Sequence, residues 1–405
     1  MELYEKLEAG MRGRGLEAVI SYGESSCSNP NFYYLAKVPV PRGGLFFKAL
    51  NSDPILVVSR VDYGVASRRF RGTAVTFSEL TGSDSFRSAA DAIALSIEEL
   101  LKRYRVSGKI GIYAREEFST SLRIERRLKG KGFRVVVDRY PSLLDSLREF
   151  KTVWERRRIS ELGRSVGEVF ESIYGLLGGC RVKGGSLHRR GRPLRIGDLR
   201  SFAMARLAER GLIPAEGLIL SAGRRSSDPH YQGSPNDPIE EGHPIVVDLF
   251  PRGEDCYFYD MTRTVLVGRS AAIERMHSLV VRAQGLARDV IGDGGRASDA
   301  MDSVCRFFEG SGFGTVRERA GKGAAAEGGF IHSLGHGVGL SIGERPFLRY
   351  GEDYALENGH VFTIEPGLYD PRLGGVRVED VFFLEGGKAK AATGKPFAQE
   401  LFTIA

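Results

Sequence analysis

The sequence predicts two domains, an α/β domain over residues 1–148 and an α+β domain over residues 149–405. Three observations carry this reading. The chain has 405 residues, more than one average domain holds. Its first part alternates strand-like and helix-like stretches, the pattern of a sheet covered by helices. Its second part sets long helical stretches apart from apolar strands, and it holds every unusual motif of acids and histidine.

In the first domain a charged amphipathic start (Leu3, Leu7, Met11) leads into the strand-like EAVIS. Apolar runs follow at GLFFKAL, PILVVS, TAVTF, KIGIY and FRVVVD. Helical periodicity appears over 87–104 and 116–129. No phosphate-cradling glycine loop and no catalytic cluster is visible there. A boundary at 145–152 precedes a long amphipathic helix over 151–178. A helix near 196–210 follows, then strands at GLILSAG, PIVVDLF and CYFYDMTRTVLVG, and helices near 270–291 and 297–309. The Gly-rich stretch 308–329 reads as a loop bordering an active site, because the chemistry resumes directly after it. Two strands, HVFTIEPGLY and GVRVEDVFFLE, are expected to complete a mainly antiparallel sheet.

Composition excludes several classes. Hydrophobic content of 42% suits a sizeable core. The opening residues lack the basic-then-apolar pattern of a secretory signal, and no apolar run nears the ~18 residues of a membrane-spanning helix. The expectation is a cytoplasmic protein with no membrane partner. A net charge of +7 raises nucleic acid as a partner, but the basic residues are scattered, without interleaved aromatics, and no nucleic acid is expected. Cys27, Cys180, Cys256 and Cys305 show no CxxC pairing and read as reduced, mostly buried thiols.

Five residues carry the chemistry. Asp248 and Asp260 lie twelve apart in VVDLFPRGEDCYFYDMTRT, His336 in HSLGHGVG, Glu365 in TIEPG and Glu379 in VRVEDV. An antiparallel pair of strands can bring the two aspartates to one place. Asp248 ends a strongly apolar strand, where an unpaired charge is costly. His332 and His336 are four apart, but Gly335, Gly337 and Gly339 argue against a helix. A strand or loop is expected, its glycines admitting backbone to a crowded site. Arg377 shares a strand face with Glu379 and could orient that carboxylate. Four carboxylates and one imidazole neutralise two divalent cations side by side, with room for a bridging hydroxide. Hard oxygen donors with one nitrogen favour Mn²⁺ or Co²⁺, with Zn²⁺ or Fe²⁺ as further candidates. This is the chemistry of a two-metal hydrolase.

Together these motifs resemble the pita-bread metallopeptidases, the group of methionine aminopeptidase, aminopeptidase P, prolidase and creatinase. The resemblance spans residues 151–405, with all five motifs in order. It implies a pita-bread catalytic domain in which Asp248 chelates one metal ion, Asp260 and Glu379 bridge both, and His336 and Glu365 complete the second. It further implies Glu365 in proton transfer, His230 in DPHY and His332 on the substrate side, and Arg377 as the arginine of the last motif. NPNFYYLAK in the first half resembles the creatinase-type N-terminal domain of the prolidase and aminopeptidase P branch. The implied activity is hydrolysis of the bond between an N-terminal residue and proline, on a peptide with proline second, by a homodimer.

Three departures accompany the resemblance. Gly343, in IGE, stands where the family pattern has histidine, seven residues after His336. Loss of such a donor can cost ~10²–10³ in rate, so slowed, rescued or redirected catalysis is expected. The alternative is a catalytically impaired peptide-binding protein on a peptidase scaffold. A creatinase-like enzyme acting without metal is a third reading, set back by the acid-rich set. The aspartates are twelve apart where eleven is commoner, and Tyr259 replaces a small residue before Asp260, narrowing the site if it points inward.

Overall fold

The computed structural model describes residues 2–83, 85–115, 117–319 and 328–404. It separates into two compact units, Met1–Arg148 and Glu149–Ala405.

The first unit is a mixed six-stranded sheet flanked by helices. Its strands are β1 (Leu16–Gly23), β2 (Gly44–Ala49), β3 (Ile55–Val58), β4 (Thr73–Thr76), β5 (Lys109–Ala114) and β6 (Arg134–Val136), in the spatial order β4-β3-β2-β1-β5-β6. The helices are α1 (Glu2–Arg14), α2 (Pro30–Ala36), α3 (Arg60–Arg69), α4 (Phe77–Thr81), α5 (Ala89–Arg103), α6 (Phe118–Gly130) and α7 (Leu143–Arg148). β2 and β3 are buried along their whole length, which is why they read as unbroken apolar runs. The TAVTF run stops being a strand at Thr76. There the threonine hydroxyl accepts from Glu79 N and the Glu79 carboxylate accepts from Thr76 N, a capping box that starts α4. Ile97, Leu100 and Leu101 of α5 and Ile124 and Leu128 of α6 pack on Ile20, Leu45 and Phe47 of the sheet.

The second unit opens with α8 (Val153–Gly178), started by a capping box between Thr152 and Glu155. A small meander, β7 (Arg181–Lys183), β8 (Ser186–Arg189) and β9 (Arg192–Pro193), leads to α9 (Ile196–Ala208). Next come β10 (Ile219–Ala222), β11 (Pro244–Leu249) and β12 (Met261–Val267), then α10 (Ala271–Val290), α11 (Ala297–Gly310) and α12 (Val316–Arg319). The remaining strands are β13 (Gly335–Val338), β14 (Ile342–Leu348), β15 (Val361–Ile364), β16 (Gly367–Asp370), β17 (Gly374–Arg377), β18 (Asp380–Glu385), β19 (Lys388–Ala391) and β20 (Phe402–Ile404). They form a sheet β10-β11-β12-β20, a sheet β14-β13-β15-β18-β19 and a hairpin β16-β17. All pairings but β12–β20 are antiparallel in these. Apolar faces of α10 and α11 (Val280, Ala283, Val304, Phe308) close over Phe362, Ile364, Val376 and Phe382 in one core.

Two expectations change. The two closing strands are four, because Pro366 has no N–H to continue a ladder and Val378–Glu379 separates β17 from β18. Asp260 is not within a strand but directly precedes β12; the connection from β11 is irregular and turns at Cys256, whose φ is +64°. Cys180 and Cys305 are free and buried, whereas Cys27 and Cys256 are disulfide-bonded and not reduced. Spacing along a chain reports local cysteine pairs only. Of the Gly-rich stretch, residues 320–327 lie outside the described residues. Gly329 exchanges backbone hydrogen bonds with Tyr369 (2.7 and 3.1 Å).

Candidate metal centre

Strand register gathers the acids. Asp248 of β11 stands opposite Thr262 of β12, and Thr262 is bridged in turn to Glu379. Directly opposed residues share a sheet face, as do residues two apart. Asp260, two before Thr262, and Arg377, two before Glu379, therefore join Asp248 and Glu379 on one side. Asp248, Asp260 and Glu379 are all buried.

His336 approaches from β13. Its Nε2 lies 3.7 Å from Asp260 Oδ2 and 3.5 Å from Glu365 Oε1. Nδ1 lies 3.2 Å from the Gly337 carbonyl, on the side of the ring away from the acids. The glycines around it are required by space. A Cβ on Gly335 would sit 2.0 Å from Thr363 O, and one on Gly337 2.3 Å from Arg345 O. The backbone N–H of Gly343 lies 3.3 Å from His336 Nδ1. Gly343 has φ +74°, and a side chain there would meet nothing within 4 Å.

Arg377 is the hub of a buried network. Its Nη2 donates to Asp248 Oδ2 (2.6 Å), Nη1 to the Tyr369 hydroxyl (2.8 Å) and Nε to Thr262 Oγ1 (3.2 Å). Thr262 Oγ1 donates to Glu379 Oε2 at 2.7 Å. Arg377 thus reaches Glu379 through Thr262 and not by direct contact. His332 Nδ1 is 2.7 Å from the Ser333 carbonyl and must carry the proton there; Nε2 accepts from Tyr369 Oη at 2.9 Å. Burial, then the Arg377 charge, pushes the His332 pKa down to about 3, so the ring is neutral and both its nitrogens are engaged. His230 lies exposed on a loop whose following turn is fixed by Asp237, which accepts from Tyr231 Oη (2.6 Å), Ser234 N (2.8 Å) and Arg225 Nη1 (2.8 Å).

The acids do not balance by themselves. Asp248 Oδ1, Asp260 Oδ1 and Glu379 Oε1 are buried with no hydrogen-bond partner, a state costing several kcal/mol for a charged group. Burial and the neighbouring carboxylates push Asp260 and Glu379 well above the usual carboxylate range. Burial also carries Glu365 up to about 8, with Asp248 adding to the rise and Arg377 opposing it. Candidate ligand atoms of Asp260, His336 and Glu379 lie within 4.8 Å of one another. Orphaned oxygens of Asp260 and Glu379 and an imidazole nitrogen of His336 within reach of one another fit divalent cations. Asp248 Oδ1 is unpartnered as well, while Oδ2 is held by Arg377.

The structure therefore brings Asp260, His336, Glu365 and Glu379 together, with Asp248 and Arg377 beside them and His332 one hydroxyl away. Thr262 and Tyr369 were not foreseen. A threonine and a tyrosine in strands read as ordinary strand formers; the only signal was their placement two residues from Asp260 and from Gly367.

Fold and site together define a two-domain protein whose second unit has a pita-bread fold around a buried acid cluster. Residues 195–385 match metallopeptidase family M24. The Xaa-Pro dipeptidase of Pyrococcus furiosus is 37% identical over 182 residues, 44% of this chain and 48% of that protein. The chain thus aligns with about half the length of the curated relatives it matches. Along its whole course it has the fold of the prolidase from Pyrococcus horikoshii OT3 (TM-score 0.76, 22% identity, 99% of this chain and 100% of that one). The same holds for the Xaa-Pro dipeptidase from Bacillus anthracis (TM-score 0.79, 22% identity, 100% and 99%).

Proposed function

We propose that this protein is a dinuclear-metal-dependent peptidase that hydrolyses the bond between an N-terminal residue and proline, in a dipeptide or a longer peptide. The observation carrying this reading is the set of buried carboxylate oxygens without partners on Asp248, Asp260 and Glu379, the last two within 4.8 Å of an imidazole nitrogen of His336. Asp248, Asp260, His336, Glu365 and Glu379 would hold two divalent ions, a donor set suited to Mn²⁺, Co²⁺, Zn²⁺ or Fe²⁺, with Mn²⁺ or Co²⁺ taken first. Bound there, such a pair supplies an activated water and polarises a carbonyl.

The protein's own groups do the rest. Glu365, which gains or loses a proton near neutral pH in the cation-free centre, accepts a proton and returns it to the departing amine. His230, exposed at the rim, positions the substrate. His332 acts from behind Tyr369, since neither of its nitrogens is open. Arg377 holds Asp248 and, through Thr262, Glu379. A cytoplasmic homodimer is part of the same reading and rests on the resemblance; no helix of the described residues is long and apolar enough to cross a membrane.

The test is a panel of Xaa-Pro dipeptides, Xaa-Pro peptides and non-proline peptides, each with Mn²⁺ or Co²⁺. Selective turnover of the proline substrates that is lost in Glu365→Gln is expected. Turnover undiminished in that variant removes the role assigned to Glu365. Metal-replete protein inactive on the whole panel, yet binding Xaa-Pro peptides, would place it as a binding protein.

A further inference from the structure

The β15–β18 ladder ends at the pair Ile364↔Asp380. One step further along each strand stand Glu365 and Glu379. Neither glutamate is fixed by that ladder, yet both must hold a carboxylate steady in the same small space. A second set of buried groups stands at this point. Gln284, from α10, donates from Nε2 to the Ile364 carbonyl at 2.9 Å and to Asp380 Oδ2 at 3.2 Å. The amide therefore staples the last rung of the ladder from the helix side. Its own oxygen accepts from Gln399 Nε2.

Arg263, three residues after Asp260, completes the set. Its Nη2 donates to Asp380 Oδ1 at 2.7 Å, and Nη1 donates to the carbonyls of Glu379 (2.6 Å) and Thr262 (2.7 Å). Its Nε donates to the Phe397 carbonyl at 2.8 Å. The Arg263 and Asp380 side chains are 1% and 0% exposed. A buried ion pair is no more stabilising than well-packed apolar residues of the same volume, so packing alone does not account for it. What it does, and an apolar pair could not, is bind the backbone of a ligand residue.

We propose that Arg263 and Gln284, joined through Asp380, are positioning residues that hold Glu365 and Glu379 in the spacing two divalent cations require. The inference rests on the metal centre proposed above and adds to it residues that touch neither cation nor substrate. Partners behind metal ligands typically change affinity 10–100-fold when removed.

The experiment is a Co²⁺ titration of the cation-stripped full chain, followed by calorimetry and by the visible absorption of the bound cobalt. Gln284→Met keeps the length and removes both donors without burying a charge. It is expected to weaken Co²⁺ binding about ten-fold and to shift the cobalt bands. A purely structural role would lower the melting temperature of the cation-free protein and leave affinity and bands as in the wild type; that result overturns the proposal. Should Gln284→Met fail to fold, Gln284→Asn, too short to span both acceptors, is read by the same two signals and against the same outcomes. Wild-type protein that takes up no Co²⁺ would instead strike down the metal centre itself, and this inference with it.

Discussion

The ring of Tyr259 fills the space a side chain at residue 163 would need. A Cβ on Gly163, within α8, would lie 2.4 Å from Tyr259 Cε2. Tyr259 is fully buried and packs toward the helix, so it does not narrow the site that Asp260 helps to form. A glycine inside a helix costs about 1 kcal/mol relative to alanine, and the ring explains why it stands there. Gly163→Ala should destabilise the protein by roughly 1–2 kcal/mol, overpacking outweighing the helix gain. Adding Tyr259→Val should restore part of that loss in urea unfolding. An unshifted midpoint for Gly163→Ala alone would refute the pairing.

Stability without metal should depend on pH in an unusual direction. The Glu365 carboxyl is raised by burial to about 8; burial and then neighbouring carboxylates raise Asp260 (chiefly Glu379) and Glu379 (chiefly Glu365) well above the usual carboxylate range. A raised carboxyl binds its proton more tightly folded than unfolded, so the folded state is favoured below the ordinary value of about 4.5 and loses that advantage as pH rises toward 8. Cation-stripped protein should melt several degrees lower at pH 8.5 than at pH 6. Saturating Mn²⁺ should remove most of that difference and raise the midpoint, stabilising the fold by about 2.7 kcal/mol at a hundred-fold excess over Kd. A flat pH profile of the stripped protein contradicts the assignment.

Thr262 links the guanidinium of Arg377 to Glu379 Oε2. Thr262→Val preserves shape and removes both hydrogen bonds. One of them ends on a carboxylate and is worth about 1.5–3 kcal/mol. We expect 10–100-fold weaker metal binding with little change in far-ultraviolet circular dichroism. Wild-type affinity in this variant would show the relay to be idle.

Gly343 combines a left-handed backbone, φ +74°, with open space beyond its Cα. Gly343→Ala should therefore cost about 1–2 kcal/mol through backbone strain, with no clash. Gly343→His should bear the same strain while placing an imidazole beside the mouth of the centre. Raised kcat on Xaa-Pro peptides in Gly343→His, compared with Gly343→Ala, is the expected sign of a missing donor. Equal rates in the two variants would show that the position is silent.

Much of this was legible in the chain. The two-domain α/β and α+β architecture followed from periodicity. Asp248, Asp260, His336, Glu365 and Glu379 announced themselves because acids and a histidine in apolar or glycine-rich strands need a partner. Strand register brings in residues that carry no such mark. Thr262 and Tyr369 matter because they face Asp248 and His332, and Gln284 because α10 crosses the end of a ladder; none of this is written locally. The same limit explains Cys27 and Cys256, whose oxidised state depends on tertiary approach. Pro366 splits one expected strand into two, an effect visible only in the sheet.

The row Asp248–Thr262–Glu379 has an evolutionary corollary. Sliding β11 by a single residue against β12 would turn Asp248 to the opposite side of the sheet and dismantle the cluster at once. The irregular connection before Asp260 is held instead by side chains, among them the disulfide-bonded Cys256 and the buried Tyr259. The strands flanking the connection are therefore expected to keep their length, and a one-residue change within either should abolish the cluster.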